Sequence, residues 1–97
     1  MNEEEMVKIY KALSVKSRLR ILKLIKDKEL CVNAITARLE ISQPAVSQHL
    51  SILKKAGLVK SSRYGSIIHY KMNEGRLDNF KKSVRKHLGD EFILLNG

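Results

Sequence analysis

Apolar residues recur along most of this chain at intervals of three and four positions, the spacing that places side chains on one face of an α-helix. Between residues 67 and 72 apolar and polar residues alternate instead, as they do in a β-strand with one buried face. The predicted helices span Glu3–Leu13, Ser17–Lys28, Val32–Leu39, Gln43–Ala56 and Glu74–Leu94, with a break in the last at Gly89, and the predicted strands span Val59–Arg63 and Ile67–Met72. The pattern predicts a mainly α fold with a small β-hairpin.

The first two predicted helices each carry an apolar stripe that is expected to face the core. Met6, Ile9, Tyr10 and Leu13 form it in the first helix, and Leu19, Ile21, Leu22 and Ile25 form it in the second. The fourth helix is expected to end at Gly57, because glycine is favoured just after a helix C-terminus.

The third and fourth predicted helices are joined by a short turn. Ser42 is a good N-cap for the fourth helix, and Pro44 falls in its first turn, where a missing N–H costs nothing. Two helices with such a turn, followed by a two-stranded ribbon, form a helix-turn-helix with a wing. The alternative is a two-helix hairpin in any small helical core, because helical spacing reports burial and not function.

The two faces of the fourth predicted helix differ in chemistry. Val46, Leu50 and Leu53 make an apolar stripe, whereas the opposite face carries Gln43, Ser47, Gln48, Ser51 and Lys54 and no acidic residue. Glutamine can bond adenine, serine can bond a base edge or a phosphate, and lysine can contact a phosphate. We therefore expect this helix to lie in the major groove of double-stranded DNA.

The composition agrees with a nucleic-acid partner. The chain has 97 residues, a net charge of +9 and an isoelectric point near 9.9, above the value of about 9 typical of nucleic-acid-binding domains. Residues 54–71 contain five cations and no acid. A generally basic protein without such a partner is the alternative. A chain of this length is expected to form one domain over residues 1–97.

The last predicted helix carries an apolar stripe that the small domain leaves largely uncovered. The stripe contains Leu77, Phe80, Val84, Leu88 and Phe92. We expect two copies of the chain to pair through the first and last helices, with Met6, Ile9 and Tyr10 contributing from the first, because a domain this small gains stability by sharing a core. A twofold dimer predicts a palindromic DNA site. The alternative is that the last helix folds back on its own domain.

Other protein classes find little support. No apolar run reaches the roughly 20 residues that span a membrane, and the acidic N-terminus lacks the features of a signal peptide. A single cysteine excludes an internal disulfide, so a cytoplasmic protein is expected. No catalytic residues are expected either, because Ser47 and His49 cannot face each other on a helix and no glycine-rich phosphate loop is present.

Three segments together resemble the ArsR family of winged-helix repressors. They are ALSVKSRLRILKLI, ELCVNAITARLEISQPAVSQHLSILKKAGLV and SSRYGSIIHYKMN. The resemblance covers nearly the whole chain and implies a homodimer that binds operator DNA. It implies base contacts by Gln43, Pro44, Ser47 and Gln48, with Ser42 and His49 nearby, and contacts of the wing residues Lys60, Arg63 and Tyr64 with the flanking DNA.

The chain departs from the family pattern within the helix-turn-helix. Thr36 stands where alanine is usual, and Glu40 lies in the turn where glycine or asparagine is common. If the turn requires a left-handed backbone at this position, Glu40 costs roughly 1–2 kcal/mol. Neither departure is expected to prevent the fold.

A metal sensor of the family type is not expected. The cysteine pair of the metal-binding relatives is reduced here to Cys31-Val32-Asn33, and one thiolate cannot hold a thiolate site. The last helix offers Asp78, His87, Asp90 and Glu91 but not the wider ligand pattern. No metal or cofactor is therefore predicted, and the inducer is unknown. A redox role for Cys31 and an architectural, sequence-indifferent DNA-binding protein remain alternatives.

Overall fold

The structure is a computed structural model and describes residues 1–89 of the chain. Its elements are α1 (Glu3–Leu13), α2 (Lys16–Ile25), β1 (Leu30–Cys31), α3 (Val32–Leu39), α4 (Gln43–Lys55), β2 (Val59–Tyr64), β3 (Ile67–Met72) and α5 (Glu74–Leu88). The prediction of a mainly α fold with a β-hairpin is confirmed.

The second helix differs from its predicted bounds at both ends, beginning at Lys16 instead of Ser17. Helix α2 ends at Ile25, three residues before the predicted Lys28, because the chain bends there toward an additional strand. Helix α5 ends at Leu88, and Gly89 follows with a φ of 87°, which confirms the predicted break. The continuation predicted as far as Leu94 lies outside the described residues.

The sheet has a third strand that the sequence pattern did not predict. The order is β1-β3-β2 and both pairs are antiparallel. In the two-residue strand β1, Leu30 lies opposite Tyr70 and Cys31 lies opposite His69. Strands β2 and β3 form the predicted hairpin, in which Val59 pairs with Met72 and Tyr64 with Ile67. Strand β1 therefore anchors the hairpin to the start of α3.

The core lies where α2, α3 and α4 meet beneath α1, α5 and the sheet. Fully buried apolar side chains from these elements form one cluster, and its largest members are Ile9, Ile21, Ile25, Ile35, Leu50, Leu53, Leu58 and Val46. Burial of each such side chain contributes about 1.5–3 kcal/mol. The stripe predicted for α4 is thus confirmed as the face that holds this helix against the domain.

Two residues predicted to face the core lie at the surface instead. Leu19 is 51% exposed and Tyr10 is 38% exposed. In α2 the buried position of that turn is taken by Arg18, whose guanidinium Nε donates to the carbonyl oxygen of Ala12 at 2.6 Å. Arg18, Ile21, Leu22 and Ile25 form the buried stripe at helical spacing, and Leu19 lies outside it.

The turn between α3 and α4 requires the left-handed backbone at Glu40 that was considered from the sequence. Glu40 adopts φ 57° and ψ 33°, the left-handed region, and its N–H donates to the carbonyl oxygen of Thr36 at 3.1 Å. Glu40 is the non-glycine residue with positive φ within residues 1–89. This conformation ends α3 and directs the chain into α4 at the cost anticipated above.

The far end of α4 closes in the manner expected at Gly57. The N–H of Gly57 donates to the carbonyl oxygen of Lys54 at 2.9 Å, and that of Leu58 donates to Leu53 at 3.0 Å. This pair of bonds is the Schellman arrangement, and it requires the positive φ of 81° that glycine adopts without strain.

Candidate nucleic-acid interface

The outward face of α4 is a continuous polar surface. Its exposed residues are Ser42, Gln43, Pro44, Ser47, Gln48, Ser51, Lys54 and Lys55. None of them is acidic, and three of the seven non-proline members are serines whose short side chains let another molecule approach the helix closely. Chemically, this surface offers hydrogen-bond donors and acceptors near the N-terminus of the helix and positive charge near its C-terminus.

Local interactions explain why α4 begins at this point. The hydroxyl of Ser42 accepts a hydrogen bond from the N–H of Ala45 at 3.3 Å, and Pro44 lies in the first turn. Such a cap contributes about 1 kcal/mol to helix stability. The hydroxyl of Ser42 is therefore used as the N-cap of α4. The side chains of Gln43 and Ser47 have no role in capping.

A groove lies between the start of α4 and the hairpin. It encloses about 350 Å³ and is lined by residues of four elements: Cys31, Val32, Asn33, Gln43, Ser47, Ser66, Ile67, Ile68 and Tyr70. Asn33, exposed in the first turn of α3, was not among the predicted site residues. Its side chain shares this groove with Gln43. From the sequence, Asn33 was considered only as the residue that replaces the second cysteine of the metal-binding motif.

Lys54 connects the helix to the wing. Its ammonium group donates to the hydroxyl of Ser61 in β2 at 2.6 Å. The side chain is still exposed, so its positive charge remains available at the surface. This bond holds the base of the hairpin at a defined position beside α4.

The two predicted wing residues Arg63 and Tyr64 lie on opposite faces of the sheet, because successive side chains of a strand alternate. Arg63 shares its face with Ser61, which contacts α4 through Lys54. Tyr64 lies on the other face, where its hydroxyl donates to Glu29 at 3.2 Å and its ring packs edge-on against His69. Arg63 and Tyr64 therefore cannot contact DNA through the same face of the sheet, and a DNA contact by Tyr64 stays a prediction.

His49 also lies away from the polar face. It is half-buried on the flank of α4 that faces α2, where Nδ1 lies 3.4 Å from Nη1 of Arg18. Desolvation lowers the pKa of His49 below its ordinary value, and the charge of Arg18 lowers the pKa further. The structure thus places His49 beside Arg18, a contact that the sequence did not predict, and its proximity to DNA stays a prediction.

Comparison with known proteins places this geometry in a family. The family described as "Bacterial regulatory protein, arsR family" matches residues 16–61, which include α2, α3, α4 and the start of the wing. The HTH-type transcriptional regulator YbzH of Bacillus subtilis (strain 168) is 36% identical over 97 aligned residues, covering 81% of this chain and 97% of that protein. The chain belongs to the ArsR family of transcriptional regulators.

Two further relatives extend the comparison. A transcriptional repressor SmtB homolog of Synechocystis is 34% identical over 88% of this chain, and the match spans 64% of that protein. The solution structure of a homodimeric winged helix-turn-helix DNA-binding domain from Mycobacterium bovis has a TM-score of 0.73 at 28% identity, covering 93% of this chain and 82% of that one. The winged helix-turn-helix fold predicted from the sequence is thus confirmed.

The apolar residues expected at the ArsR-type dimer contact divide into two groups. Met6, Ile9, Phe80 and Val84 are buried inside the protomer, with 0–7% of their surface exposed. Leu77 is half-buried, and Phe92 lies outside the described residues. The buried four have almost no surface left for a second copy, because they pack between α1, α5 and the core. These four side chains belong to the protomer's own core, and their part in a contact between protomers stays a prediction.

Exposed apolar surface nevertheless remains on both terminal helices. Val7 is 49% exposed and Leu88 is 53% exposed, while the ring of Tyr10 lies over Phe80 with centroids 5.1 Å apart and is 38% exposed. Val7 was not among the residues predicted from the sequence, although it follows Met6 directly. These three side chains, here called the pairing patch, are the exposed large apolar side chains of α1 and α5 within residues 1–89.

The structure places the single cysteine in the short strand of the sheet. Cys31 is a free, half-buried thiol in β1, opposite His69 of β3. Among residues 1–89 no three His, Cys, Asp or Glu side chains come together in a metal-binding arrangement. In the same part of the chain, no helix is both long enough and apolar enough to cross a bilayer.

Proposed function

We propose that this ArsR-family protein is a homodimeric repressor that binds a palindromic operator in double-stranded DNA. The observation that carries the proposal is the outward face of α4, which is exposed, polar and free of acidic side chains beside a basic wing. A helix of this character suits the major groove, where base edges present donors and acceptors. Repression is proposed by analogy with the SmtB homolog, which is a transcriptional repressor.

We assign the residues of the interface to two tasks. Gln43, Ser47 and Gln48 read base edges, because they are exposed near the N-terminus of α4, the part of a recognition helix that reaches the bases. Pro44 contributes an apolar contact between them. Ser51, Lys54 and Arg63 contact the sugar-phosphate backbone, which orients the protein without reading sequence, whereas Lys60 lies with Tyr64 on the opposite face of the sheet.

The remaining features of the chain are consistent with this role. We infer that residues 1–97 act as one domain in the cytoplasm and that the protein is not an enzyme, because the family consists of transcriptional regulators. No cofactor is needed for the proposed binding.

The experiment that tests the proposal is selection of bound duplexes from a random pool at two salt concentrations. A homodimeric repressor is expected to enrich one palindrome whose half-sites lie about 10 base pairs apart, and to keep that preference at higher salt. An architectural protein would bind the pool without enrichment and lose affinity for all duplexes together as salt rises. The second result would contradict the proposal.

A further inference from the structure

An arginine from α2 joins the C-terminal end of α1 to the middle of α4. Arg18 is 9% exposed, and its guanidinium donates to the carbonyl oxygens of Ala12 at 2.6 Å and Lys11 at 3.2 Å. The last carbonyls of a helix have no partner within the helix, so these bonds satisfy groups that the fold would otherwise leave unpaired. The remaining side of the guanidinium lies 3.4 Å from His49 of α4.

A second arginine joins the N-terminal end of α1 to the C-terminal end of α4. Arg76 of α5 forms an ion pair with Glu5 of α1 at 2.8 Å, and its Nε donates to the carbonyl oxygen of Ala56 at 3.4 Å. The hydrogen bond from Arg76 lowers the pKa of the Glu5 carboxyl, so this group stays ionised near neutral pH. A positive charge at this position also complements the dipole of α4.

The backbone around Gly57 is shaped to admit the second arginine. A Cβ at Gly57 would lie 2.9 Å from Nε of Arg76, so a side chain there would displace the guanidinium. Asn73 adds a further connection, because its amide donates to the carbonyl oxygen of Gly57 at 2.9 Å while its Oδ1 accepts from the N–H of Arg76 at 3.2 Å. The start of α5 is thus bonded directly to the end of α4.

The two bridges touch each helix at two separated points. Along α1 the contacts lie at Glu5 and at Lys11–Ala12, which a rise of 1.5 Å per residue places about 10 Å apart. Along α4 they lie at His49 and Ala56, again about 10 Å apart. Two contacts at separate points on each of two rods define the angle between the rods, whereas one contact would leave them free to pivot.

We propose that Arg18 and Arg76 are positioning residues that set the angle between α1 and α4, and thereby the half-site spacing that the dimer accepts. The proposal rests on the proposed function. Helix α1 carries Val7 and Tyr10 of the pairing patch, so its direction is tied to the twofold axis, and α4 carries the base-reading face. Neither arginine needs to touch DNA to affect which palindrome is bound.

The test measures affinity of the full chain for duplexes in which the half-sites of the selected palindrome are moved one base pair at a time. Wild-type protein is expected to prefer one spacing sharply, because rigidly held helices meet the major groove at one separation. Arg76→Gln is expected to weaken binding at that spacing about fivefold, the lower end of energetic coupling between protein sites. Its losses at neighbouring spacings should be smaller, so the preference flattens.

Matched variants separate positioning from charge and from folding. Lys82→Gln removes one positive charge from an exposed site on α5 and should keep the wild-type spacing preference. Glu5→Gln should flatten the preference as Arg76→Gln does, whereas Glu4→Gln, a neighbouring exposed carboxylate, should not. Because Glu5 and Arg76 act as one pair, the double variant should be no worse than Arg76→Gln alone. Equal losses at every spacing, as reduced folding produces, would overturn the proposal for Arg76.

Arg18 is tested through its partner, since replacing a buried arginine that caps α1 endangers folding. His49→Ala removes the contact with α4 and leaves the bonds from Arg18 to Ala12 and Lys11 in place. A flattened spacing preference supports the first bridge, and a preference identical to wild type overturns it. Failure of the proposed function would instead appear in the wild-type protein, as the absence of any palindrome preference.

Discussion

Helix α4 and the terminal helices α1 and α5 divide their surfaces in opposite ways. Each buries an apolar stripe in the core, represented by Leu50 in α4, Ile9 in α1 and Phe80 in α5. The surface that remains on α4 is polar apart from Pro44, whereas that on α1 and α5 includes Val7, Tyr10 and Leu88. The first surface is well solvated without a partner. Exposure of the second to water is unfavourable, so covering it with another apolar surface lowers the free energy.

The difference indicates how one small domain serves two kinds of contact. Polar groups on α4 replace hydrogen bonds to water with hydrogen bonds to base edges at little cost in free energy, so DNA binding can be reversible. Apolar groups on α1 and α5 favour a lasting contact, such as the one in a homodimer. The solved relative from Mycobacterium bovis is homodimeric. Four predictions test this contrast, and they are given from the largest expected effect to the smallest.

The largest effect is expected from a charge in the pairing patch. Leu88→Glu places a carboxylate where an apolar contact is proposed, and an unpaired charge buried in an interface costs about 3–5 kcal/mol. The variant should sediment as a monomer at concentrations where the wild type is a dimer. Lys82→Glu, on an exposed part of the same helix, is the control. Dimers of unchanged stability in the Leu88 variant would place the pairing surface elsewhere.

A smaller and more selective effect is expected on the polar face of α4. Gln43→Ala and Ser47→Ala should each weaken binding to the selected palindrome by about 1–3 kcal/mol and leave binding to random DNA nearly unchanged. Competition titrations with the two kinds of duplex measure this difference. Asn79→Ala, an exposed amide on α5, should change neither. Equal losses on both duplexes would show that these side chains do not read bases.

The wing offers a comparison between its two faces. Arg63→Ala should weaken binding to all sequences alike and reduce the slope of log affinity against log salt by about one unit, because one phosphate contact is lost. Lys71 is bound to Glu29 at 3.7 Å on the opposite face, so Lys71→Ala should change the slope less. If both variants give the wild-type slope, the wing does not contact phosphates.

The smallest effect concerns pH. Because the folded protein holds the pKa of His49 below its ordinary value of about 6.5, the unfolded chain binds the proton more readily. The contribution of His49 to stability is therefore fully present above pH 6.5 and declines as pH falls through the lowered pKa. Chemical unfolding across this range should show a steeper loss in the wild type than in His49→Gln. Identical pH dependence in the two proteins would contradict the assignment.

Interactions between residues close in the chain could be predicted well. The cap at Ser42, the closing glycine at Gly57, the left-handed turn at Glu40 and the apolar stripe of α4 all depend on partners within about five positions. Such contacts are encoded by spacing and residue type, so periodicity and capping preferences suffice to find them. The burial of Arg18 could also have been predicted, because it recurs at helical spacing with the apolar residues of α2. Its hydrogen-bond partners could not.

Contacts between distant residues were decided by the tertiary structure. Glu5 and Arg76 are 71 positions apart, Tyr64 and Glu29 are 35 apart, and the two-residue strand β1 exists only because β3 lies beside it. No pattern along the chain reports such partners, since each depends on how whole elements pack. The sequence by itself determined which face of α4 is polar and exposed; only the packing of α1, α2 and α5 decided the direction in which that face points.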